Sequence, residues 1–130
     1  MKLKFKDILK IENVVGNIAV IDNEVAPFEI KGVYYLYDIP SSFRSCEHSQ
    51  KKKQQVLITI SGSFGVEQNN GKNKKTITLN KPDKSLLLRN NTWSQLENFS
   101  SGAVCMVLAS EVFSKAEYIG DFNFFLQSVQ

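Results

Sequence analysis

The sequence is poor in the residues that build metal centres and disulfide frameworks. Among 130 residues it has one histidine, His48, and two cysteines, Cys46 and Cys105. A zinc site needs about four His, Cys or carboxylate ligands, and the acidic residues here are scattered along the chain, so we expect no metal site. Because the two cysteines are far apart in the sequence, we interpret them as free thiols.

Signatures of membrane spans and phosphate loops are also missing. No apolar run approaches the roughly 20 residues that a bilayer-spanning helix needs. The Ser-Gly-Ser turn at 61–63 follows a strand pattern but does not open a helix, as a phosphate loop would. The opening residues, M-K-L-K-F-K-D, alternate lysine with apolar side chains and do not resemble a signal peptide. We therefore expect a cytoplasmic protein that binds no membrane.

The charge balance argues against a nucleic-acid partner. Sixteen Lys and Arg residues against 13 Asp and Glu residues give a net charge of +3. This is mildly basic, well below the charge of a typical nucleic-acid-binding surface. A chain of this length can form one domain with its own core, so we expect a single domain over residues 1–130.

What the sequence does contain is a series of short strand patterns. From Pro27 the residues F-E-I-K-G predict an extended piece in which Phe28 and Ile30 share a face. Val33–Tyr37 is β-branched and aromatic. Val56–Ile60 is apolar except for Thr59, and Ala103–Ala109 is continuously apolar. Ile77 and Leu79 alternate with threonines. Together with weaker patterns, roughly nine or ten strands separated by turns indicate an all-β antiparallel sandwich or barrel.

Two further patterns concern a turn and the end of the chain. Asn69-Asn70-Gly71 predicts a β-hairpin, because Asn and Gly tolerate the positive φ angles of a tight turn. Beyond Ser110 the apolar residues recur at helical spacing, which predicts a short C-terminal helical segment. These residues are Phe113, Tyr118, Phe122, Phe125 and Leu126.

The stretch Phe43–Phe64 holds the side chain best suited to proton transfer. His48 precedes a polar run and then an apolar strand that would fix the backbone beneath it. Histidine titrates near neutral pH, so His48 is a candidate acid or base, the alternative being an exposed or merely hydrogen-bonded imidazole. A Cys46–His48 nucleophile pair is a further alternative. The aromatic side chains either line a pocket or fill the sandwich; they are Tyr34, Tyr35, Tyr37 and Trp93.

Several blocks occur in a recognisable order. They are P-F-E-I-K-x-V-Y-Y-L-Y-D-I-P, Q-V-L-I-T-I-S-G-S, T-L-N-K-P, N-F-S-S-G-A-V-C-M-V-L-A-S-E and Y-I-x-D-F-x-x-F-L. In this order and spacing the chain resembles the sugar-nucleotide 3,4-ketoisomerases from about Gly16 to Val129. The resemblance implies a cupin jelly roll, all-β with antiparallel sheets. It also implies a homodimer that exchanges N-terminal strands, acting in deoxyamino-sugar biosynthesis for lipopolysaccharide, O-antigen or S-layer glycans.

The chemistry implied by the resemblance is a carbonyl shift in a dTDP-4-keto-6-deoxyhexose. A base removes the proton on C3, which the neighbouring C4 ketone acidifies, and a proton is returned to C4 of the resulting enediol. The protein must supply an acid, a base and hydrogen-bond donors for the developing oxyanion. The resemblance implies no metal and no cofactor.

This chain departs from the family at several polar positions. The family usually carries R-G-x-H-x-H before the long strand, where this chain has S-C-E-H-S-Q. His48 matches the first histidine, while Gln50 stands at the second and Ser45 at the arginine. The usual W-H-E is W-S-Q at 93–95. Glutamine cannot transfer a proton, although it can donate a hydrogen bond.

These departures leave different interpretations open. In the first, the chain is an active isomerase in which His48 transfers the proton and Gln50 and Tyr35 polarise the sugar carbonyls. Arg44 then contacts the diphosphate, and the other expected substrate contacts are Tyr34, Trp93 and Gln95. In the second, it is a catalytically degenerate relative that binds a dTDP-sugar or partners an active subunit. In the third, it is a carbohydrate-binding cupin that does not bind nucleotides.

Overall fold

The computed structural model describes residues 4–13, 15–41, 45–48, 54–88 and 93–112. Within these ranges the regular structure consists of strands. In chain order they are β1 (Lys4–Asp7), β2 (Leu9–Asn13), β3 (Gly16–Val20), β4 (Gly32–Leu36), β5 (Ser45–His48), β6 (Gln55–Ser61), β7 (Phe64–Asn69), β8 (Lys74–Leu79), β9 (Lys84–Leu88), β10 (Trp93–Glu97) and β11 (Val104–Ala109). The helical segment predicted near the C-terminus lies outside the described residues. In the part of the chain described, no helix has the length and apolarity needed to cross a membrane.

The strands form two larger antiparallel sheets and one separate hairpin. The five-stranded sheet has the order β1-β9-β6-β11-β4, and the four-stranded sheet has the order β5-β10-β7-β8. β2 pairs with β3 in the two-stranded sheet. All of these ladders are antiparallel. The predicted all-β, cupin-type antiparallel architecture is therefore confirmed.

Alternate side chains of the two larger sheets meet in a common hydrophobic core. Leu57, Leu86 and Val107 point into it from the five-stranded sheet, and Val66 and Leu96 from the four-stranded sheet. All five are fully buried. Because burial of one aliphatic side chain is worth about 1.5–3 kcal/mol, this layer is a main source of the attraction between the sheets.

The five-stranded sheet is also covered on its other face. Val56, Ile58 and Leu108 form a second buried cluster, to which the segment 21–28 between β3 and β4 contributes. β6 and β11 are therefore buried on both faces. This burial on both faces explains why their sequences are largely apolar. A strand with one solvent-exposed face instead alternates apolar and polar residues.

The covering segment is a turn rather than a strand. The Asp22 carbonyl oxygen accepts hydrogen bonds from the N–H groups of Val25 at 3.1 Å and Ala26 at 3.0 Å. Both of these apolar side chains are buried against the sheet. The extended strand that we expected from Pro27 onward does not form, and the next strand is β4.

A tight turn at Gly62 joins β6 to β7 and therefore connects the two sheets. Gly62 has a φ of +70°, and a Cβ placed there would lie 2.9 Å from the Ala103 Cα. The loop before β11 is hydrogen-bonded to this turn. The Ser100 hydroxyl accepts a hydrogen bond from the Ser63 N–H at 2.9 Å. The Ser100 N–H donates in return to the Ser63 carbonyl at 2.9 Å. We call this end of the sandwich the turn end, and the opposite end, where β6 begins and β7 finishes, the far end.

The predicted Asn-Gly hairpin joins β7 to β8 at the far end. Gly71 has a φ of 92°, and the Asn69 Oδ1 accepts a hydrogen bond from its N–H at 2.7 Å. The Asn70 Oδ1 accepts two more, from the N–H groups of Lys72 at 2.9 Å and Asn73 at 2.7 Å. The hairpin prediction is confirmed, and the asparagine side chains fix the turn.

Candidate active site

Polar side chains interrupt the apolar core at the far end of the sandwich. Gln55 begins β6 in phase with Leu57, Gln68 follows Val66 by two residues, and Ser94 precedes Leu96 by two. Alternation along a strand places each of them on the same face as its apolar neighbour. Their exposed fractions are 2%, 3% and 1% respectively, so all three lie buried between the sheets.

One pair of these polar groups is satisfied within the protein. The Gln55 Nε2 donates a hydrogen bond to the Tyr34 hydroxyl at 3.1 Å. Tyr34 is half-buried and packs against the core, because β4 turns this residue toward the four-stranded sheet. The pair anchors a phenol and an amide at the far end, on the side of the five-stranded sheet.

A second pair lies on the four-stranded sheet. Ser94 and Gln68 are register partners on β10 and β7. Within the described ranges, neither the Ser94 Oγ nor the Gln68 Nε2 has a hydrogen-bond partner, and both atoms are buried. Leaving such a group unsatisfied costs about 1–3 kcal/mol, so these atoms are well suited to meet a polar ligand. Thr59 Oγ1 is also unsatisfied, but it lies nearer the turn end.

A cation lies beside this pair at the edge of the sheet. Lys75 on β8 is the register partner of Gln68 and is in phase with Ile77, which packs against the core. Its side chain is exposed, and it forms no ion pair with any described residue. The neighbouring Lys74, on the other face of β8, instead reaches Glu67 at 3.6 Å.

The W-S-Q block is divided between the two faces of β10: Ser94 faces the core, and the two predicted residues, Trp93 and Gln95, face the other way. Trp93 is buried and Gln95 half-buried, but both alternate with Ser94 and Leu96. They therefore lie on the face of the four-stranded sheet directed away from the inter-sheet core. On the adjacent β5, the backbone of His48 pairs with Trp93, and Glu47 pairs with Ser94.

The two predicted tyrosines also separate. Tyr34 faces the core, whereas Tyr35 lies on the outer face of β4 and is 60% exposed. The ring centroids of Tyr35 and Tyr37 are 5.5 Å apart. Within one chain, Tyr35 is thus on the far side of the five-stranded sheet from Gln68. Gln50 and Arg44 lie outside the described residues, so their roles and that of His48 stay predictions.

Resolved pKa shifts belong to surface groups of β1, β2 and β9. The hydrogen bond and charge of Lys84 lower the pKa of the Asp7 carboxyl, which in turn raises the pKa of Lys84. Glu12 raises the pKa of Lys10 in the same way.

In the described part of the chain, no three His, Cys, Asp or Glu residues lie together as a metal site would require.

Gln55 and Gln68 are not among the site residues predicted from the sequence. Neither belongs to a catalytic motif, and glutamine is an unremarkable residue on a surface. The available signal was phase, since Gln68 continues the alternation of Phe64 and Val66 inside β7. A polar residue at a position that the strand period assigns to the core is a candidate site residue.

Comparisons with known proteins identify relatives along the whole chain. Residues 1–130 match the family described as "FdtA: WxcM-like, C-terminal". The TDP-4-oxo-6-deoxy-alpha-D-glucose-3,4-oxoisomerase of Aneurinibacillus thermoaerophilus is 35% identical over 108 residues. That match covers 83% of this chain and 78% of the relative.

Solved structures give the same result. A 3,4-ketoisomerase from Helicobacter canadensis is 37% identical, with a TM-score of 0.92, over 99% of this chain and 98% of that one. A histidine-to-asparagine mutant of the 3,4-ketoisomerase QdtA from Thermoanaerobacterium thermosaccharolyticum, in complex with TDP-4-keto-6-deoxyglucose, is 29% identical, with a TM-score of 0.89, over 98% of this chain and 93% of that one. The chain therefore belongs to the FdtA, WxcM-like family of sugar 3,4-ketoisomerases.

Proposed function

We propose that this chain is an isomerase that moves the carbonyl of a TDP-4-keto-6-deoxyhexose from C4 to C3. The observation that carries the proposal is the similarity to 3,4-ketoisomerases, at 37% identity over 99% of the chain. Relatives that act on or bind TDP-linked 4-keto-6-deoxyglucose support the choice of substrate. The buried polar groups at the far end support it further, because a sugar needs convergent hydrogen-bond partners.

The proposal assigns this reaction to a single cupin domain, residues 1–130, working in the cytoplasm. Its product would serve deoxyamino-sugar biosynthesis for a surface glycan such as lipopolysaccharide. No cofactor is required, because the reaction is an internal redistribution of electrons and protons. The C3–H bond breaks, its electron pair forms the C3–C4 double bond of an enediolate, and the C4 oxygen becomes anionic.

The second half of the reaction returns the electrons. The proton of the C3 hydroxyl passes to the anionic C4 oxygen, the C3 carbonyl forms, and C4 takes a proton from a general acid, which replaces the proton removed from C3. Substrate and product are therefore isomers, and no net proton is gained or lost. Removal of the C3 proton needs a base that titrates near neutral pH, which makes His48 the assigned group.

The other predicted residues have binding roles in this proposal. Gln50 donates a hydrogen bond to a sugar carbonyl, and Arg44 contacts the diphosphate. The sequence predicts a second hydrogen bond from Tyr35, but this residue lies on the outer face of β4, away from the space between the sheets. Of the other expected substrate contacts, Tyr34 faces the core and suits a sugar bound between the sheets, whereas Trp93 and Gln95 lie on the opposite face of β10. Glutamine in place of a second imidazole removes one titratable group, so a single histidine carries both proton transfers.

Proton exchange tests the proposal directly. The protein is mixed with TDP-4-keto-6-deoxyglucose in D₂O, and deuterium at C3 and C4 is followed by NMR, beside His48→Asn and Tyr35→Phe variants. We expect exchange in the wild type and a loss of about 10²–10⁴-fold in His48→Asn, the usual contribution of a general base. TDP binding by each variant, measured calorimetrically, controls for folding.

Each result has a distinct meaning. Undiminished exchange in His48→Asn would assign the proton transfer to another residue, and loss in Tyr35→Phe would identify that residue as the tyrosine. Absence of exchange in the wild type, with this substrate and its C4 epimer, would contradict the isomerase and leave a degenerate relative that only binds. Absence of TDP binding would contradict the proposal that the substrate is a TDP-linked sugar.

We further propose that the protein is a homodimer whose N-terminal strands exchange. Two apolar surfaces of the chain support this. One is the outer face of β4, with Val33, Tyr35 and Tyr37, and the other is the β2–β3 hairpin, with Leu9, Ile11 and Ile18; all six are exposed. Contiguous apolar surface of this kind usually marks an interface, and two-fold symmetry would bury both surfaces twice.

Oligomeric state in solution tests the dimer. Light scattering after size exclusion should give twice the chain mass of 14.7 kDa. Ile18→Lys and Val33→Lys should shift the mass toward that of one chain, because each places a charge in the interface. Thr76→Lys, which adds the same charge to an exposed position of β8, is the matched control and should leave the dimer intact. A wild-type mass of one chain would contradict the proposal.

A further inference from the structure

Three polar residues lie in a row, in register, on the core-facing side of β10, β7 and β8, next to β5, whose Glu47 pairs with Ser94. Ser94 on β10 is the register partner of Gln68 on β7, and Gln68 is the register partner of Lys75 on β8. Residues paired across a ladder lie on the same face. Because neighbouring strands are about 4.8 Å apart, the row spans about 10 Å from Ser94 to Lys75.

Burial and charge change in one direction along this row. Ser94 and Gln68 are buried, uncharged and, as far as the described residues extend, unsatisfied at Oγ and Nε2. Lys75 is exposed, cationic and without an ion-pair partner in the described ranges. The row therefore leads from a buried, neutral, hydrogen-bonding site to a cation at the rim of the sandwich.

A nucleotide sugar has the same order of neutral and charged groups along its length. Its hexose is neutral and carries hydroxyl and carbonyl oxygens, and within one sugar ring's length it joins a diphosphate that carries two negative charges. A buried donor pair suits the first part, and a lysine, a point charge on a flexible stem, suits the second. The row and the ligand match when the sugar lies over Ser94 and Gln68.

We propose that Gln68 is a catalytic hydrogen-bond donor to the sugar oxygen that becomes anionic, and that Lys75 binds the diphosphate. This inference rests on the isomerase function proposed above. Gln68 is suited to the role because its amide does not titrate and it donates at every pH. A donor already held in a buried position stabilises an oxyanion without reorganising as the charge develops.

The stability of the protein provides an independent check on Gln68. A buried donor without a partner destabilises the free protein, and replacing it with an apolar side chain of the same shape removes that penalty. Gln68→Met should therefore leave the melting temperature unchanged or raise it while activity falls. A glutamine that merely holds the fold together would show the opposite sign, with a lower melting temperature.

The experiment compares Lys75→Met, Gln68→Met and the matched control Lys74→Met. TDP alone is titrated calorimetrically at low and high salt, and deuterium exchange into TDP-4-keto-6-deoxyglucose is followed by NMR. We expect Lys75→Met to weaken TDP binding about tenfold, or about 1.4 kcal/mol, and to flatten its salt dependence. Gln68→Met should keep TDP affinity within about twofold and lower the exchange rate about 10²-fold.

Several results would overturn the inference. One is a Lys75→Met protein that binds TDP as the Lys74→Met protein does. Another is a Gln68→Met protein that exchanges at the wild-type rate, or one that loses activity together with its melting temperature. A wild type that binds TDP but catalyses no exchange would contradict the isomerase and the catalytic role of Gln68, and the two lysine variants would still decide the diphosphate site.

Discussion

The turn at Gly62 is expected to tolerate an added methyl group poorly. Two things oppose alanine there. The φ of +70° is a left-handed conformation, which costs an L-residue about 1–2 kcal/mol. The added Cβ would also lie 2.4 Å from the Ser100 Oγ and 2.9 Å from the Ala103 Cα, and real Cβ atoms do not approach other atoms so closely.

The second contribution can be worked out from the contacts. Moving the Ser100 hydroxyl away breaks its hydrogen bond from the Ser63 N–H, at about 0.5–1.5 kcal/mol. Displacing the Ala103 backbone strains a packed loop, at about 1–3 kcal/mol. Together with the cost of the backbone conformation, these contributions lower the free energy of unfolding of Gly62→Ala by about 2.5–6.5 kcal/mol.

Gly102 offers a matched control for this prediction. Its φ is +73°, almost the same, but nothing lies within 4 Å of a Cβ built there. Gly102→Ala should therefore lose only the conformational contribution, about 1–2 kcal/mol. Urea unfolding followed by tryptophan fluorescence measures both. Equal losses in the two variants would refute the argument, because they would show that crowding at the turn between the sheets contributes nothing.

Two further predictions concern one buried bond and one surface ion pair. Tyr34→Phe should lower the free energy of unfolding by about 1–3 kcal/mol, because Gln55 Nε2 loses its acceptor; adding Gln55→Leu should recover much of this loss in urea titrations, and a purely additive result would refute it. Asp7→Asn should flatten the acid side of the stability profile. The Asp7 pKa is lowered by Lys84, so the pair's contribution is present above the pKa of Asp7 in the unfolded chain and is lost as pH falls through its pKa in the folded protein. Melting curves from pH 2 to 7 test this prediction, which fails if about 1 M salt leaves the difference unchanged.

Strand identity could be predicted wherever the sequence carried a strong local signal. Residues 56–59 and most residues of β11 are buried on both faces, and their apolar, β-branched sequences show it. The Asn-Gly turn is encoded within the turn itself. The segment after Pro27 misled the prediction. Phe28 packs with the rest of segment 21–28 against the outer face of β6 and β11, a long-range contact that no local pattern encodes, and Ile30 stays exposed.

The site was harder to predict than the fold. Period-two alternation shows that Tyr34 and Tyr35 face opposite ways but not which one faces inward. The choice is made by pairing, because Tyr34 lies opposite Val107 of the core while Tyr35 lies opposite Met106 of the outer face. Gln68 was missed for the same reason, since its importance depends on burial and on a register partner 26 residues away.

The position of β11 has a consequence for synthesis of the chain. It is the second strand from the edge of the five-stranded sheet, where it joins β4 to β6, yet it is the last strand described. During translation, β4 and β6 therefore depend on the same late segment, and until it emerges one hydrogen-bonding edge of each strand has no partner. The β7–β8 hairpin can form early, whereas the larger sheet closes only after residue 109 has left the ribosome. Truncations or slow codons near this strand should thus affect aggregation during synthesis more than the stability of the finished protein.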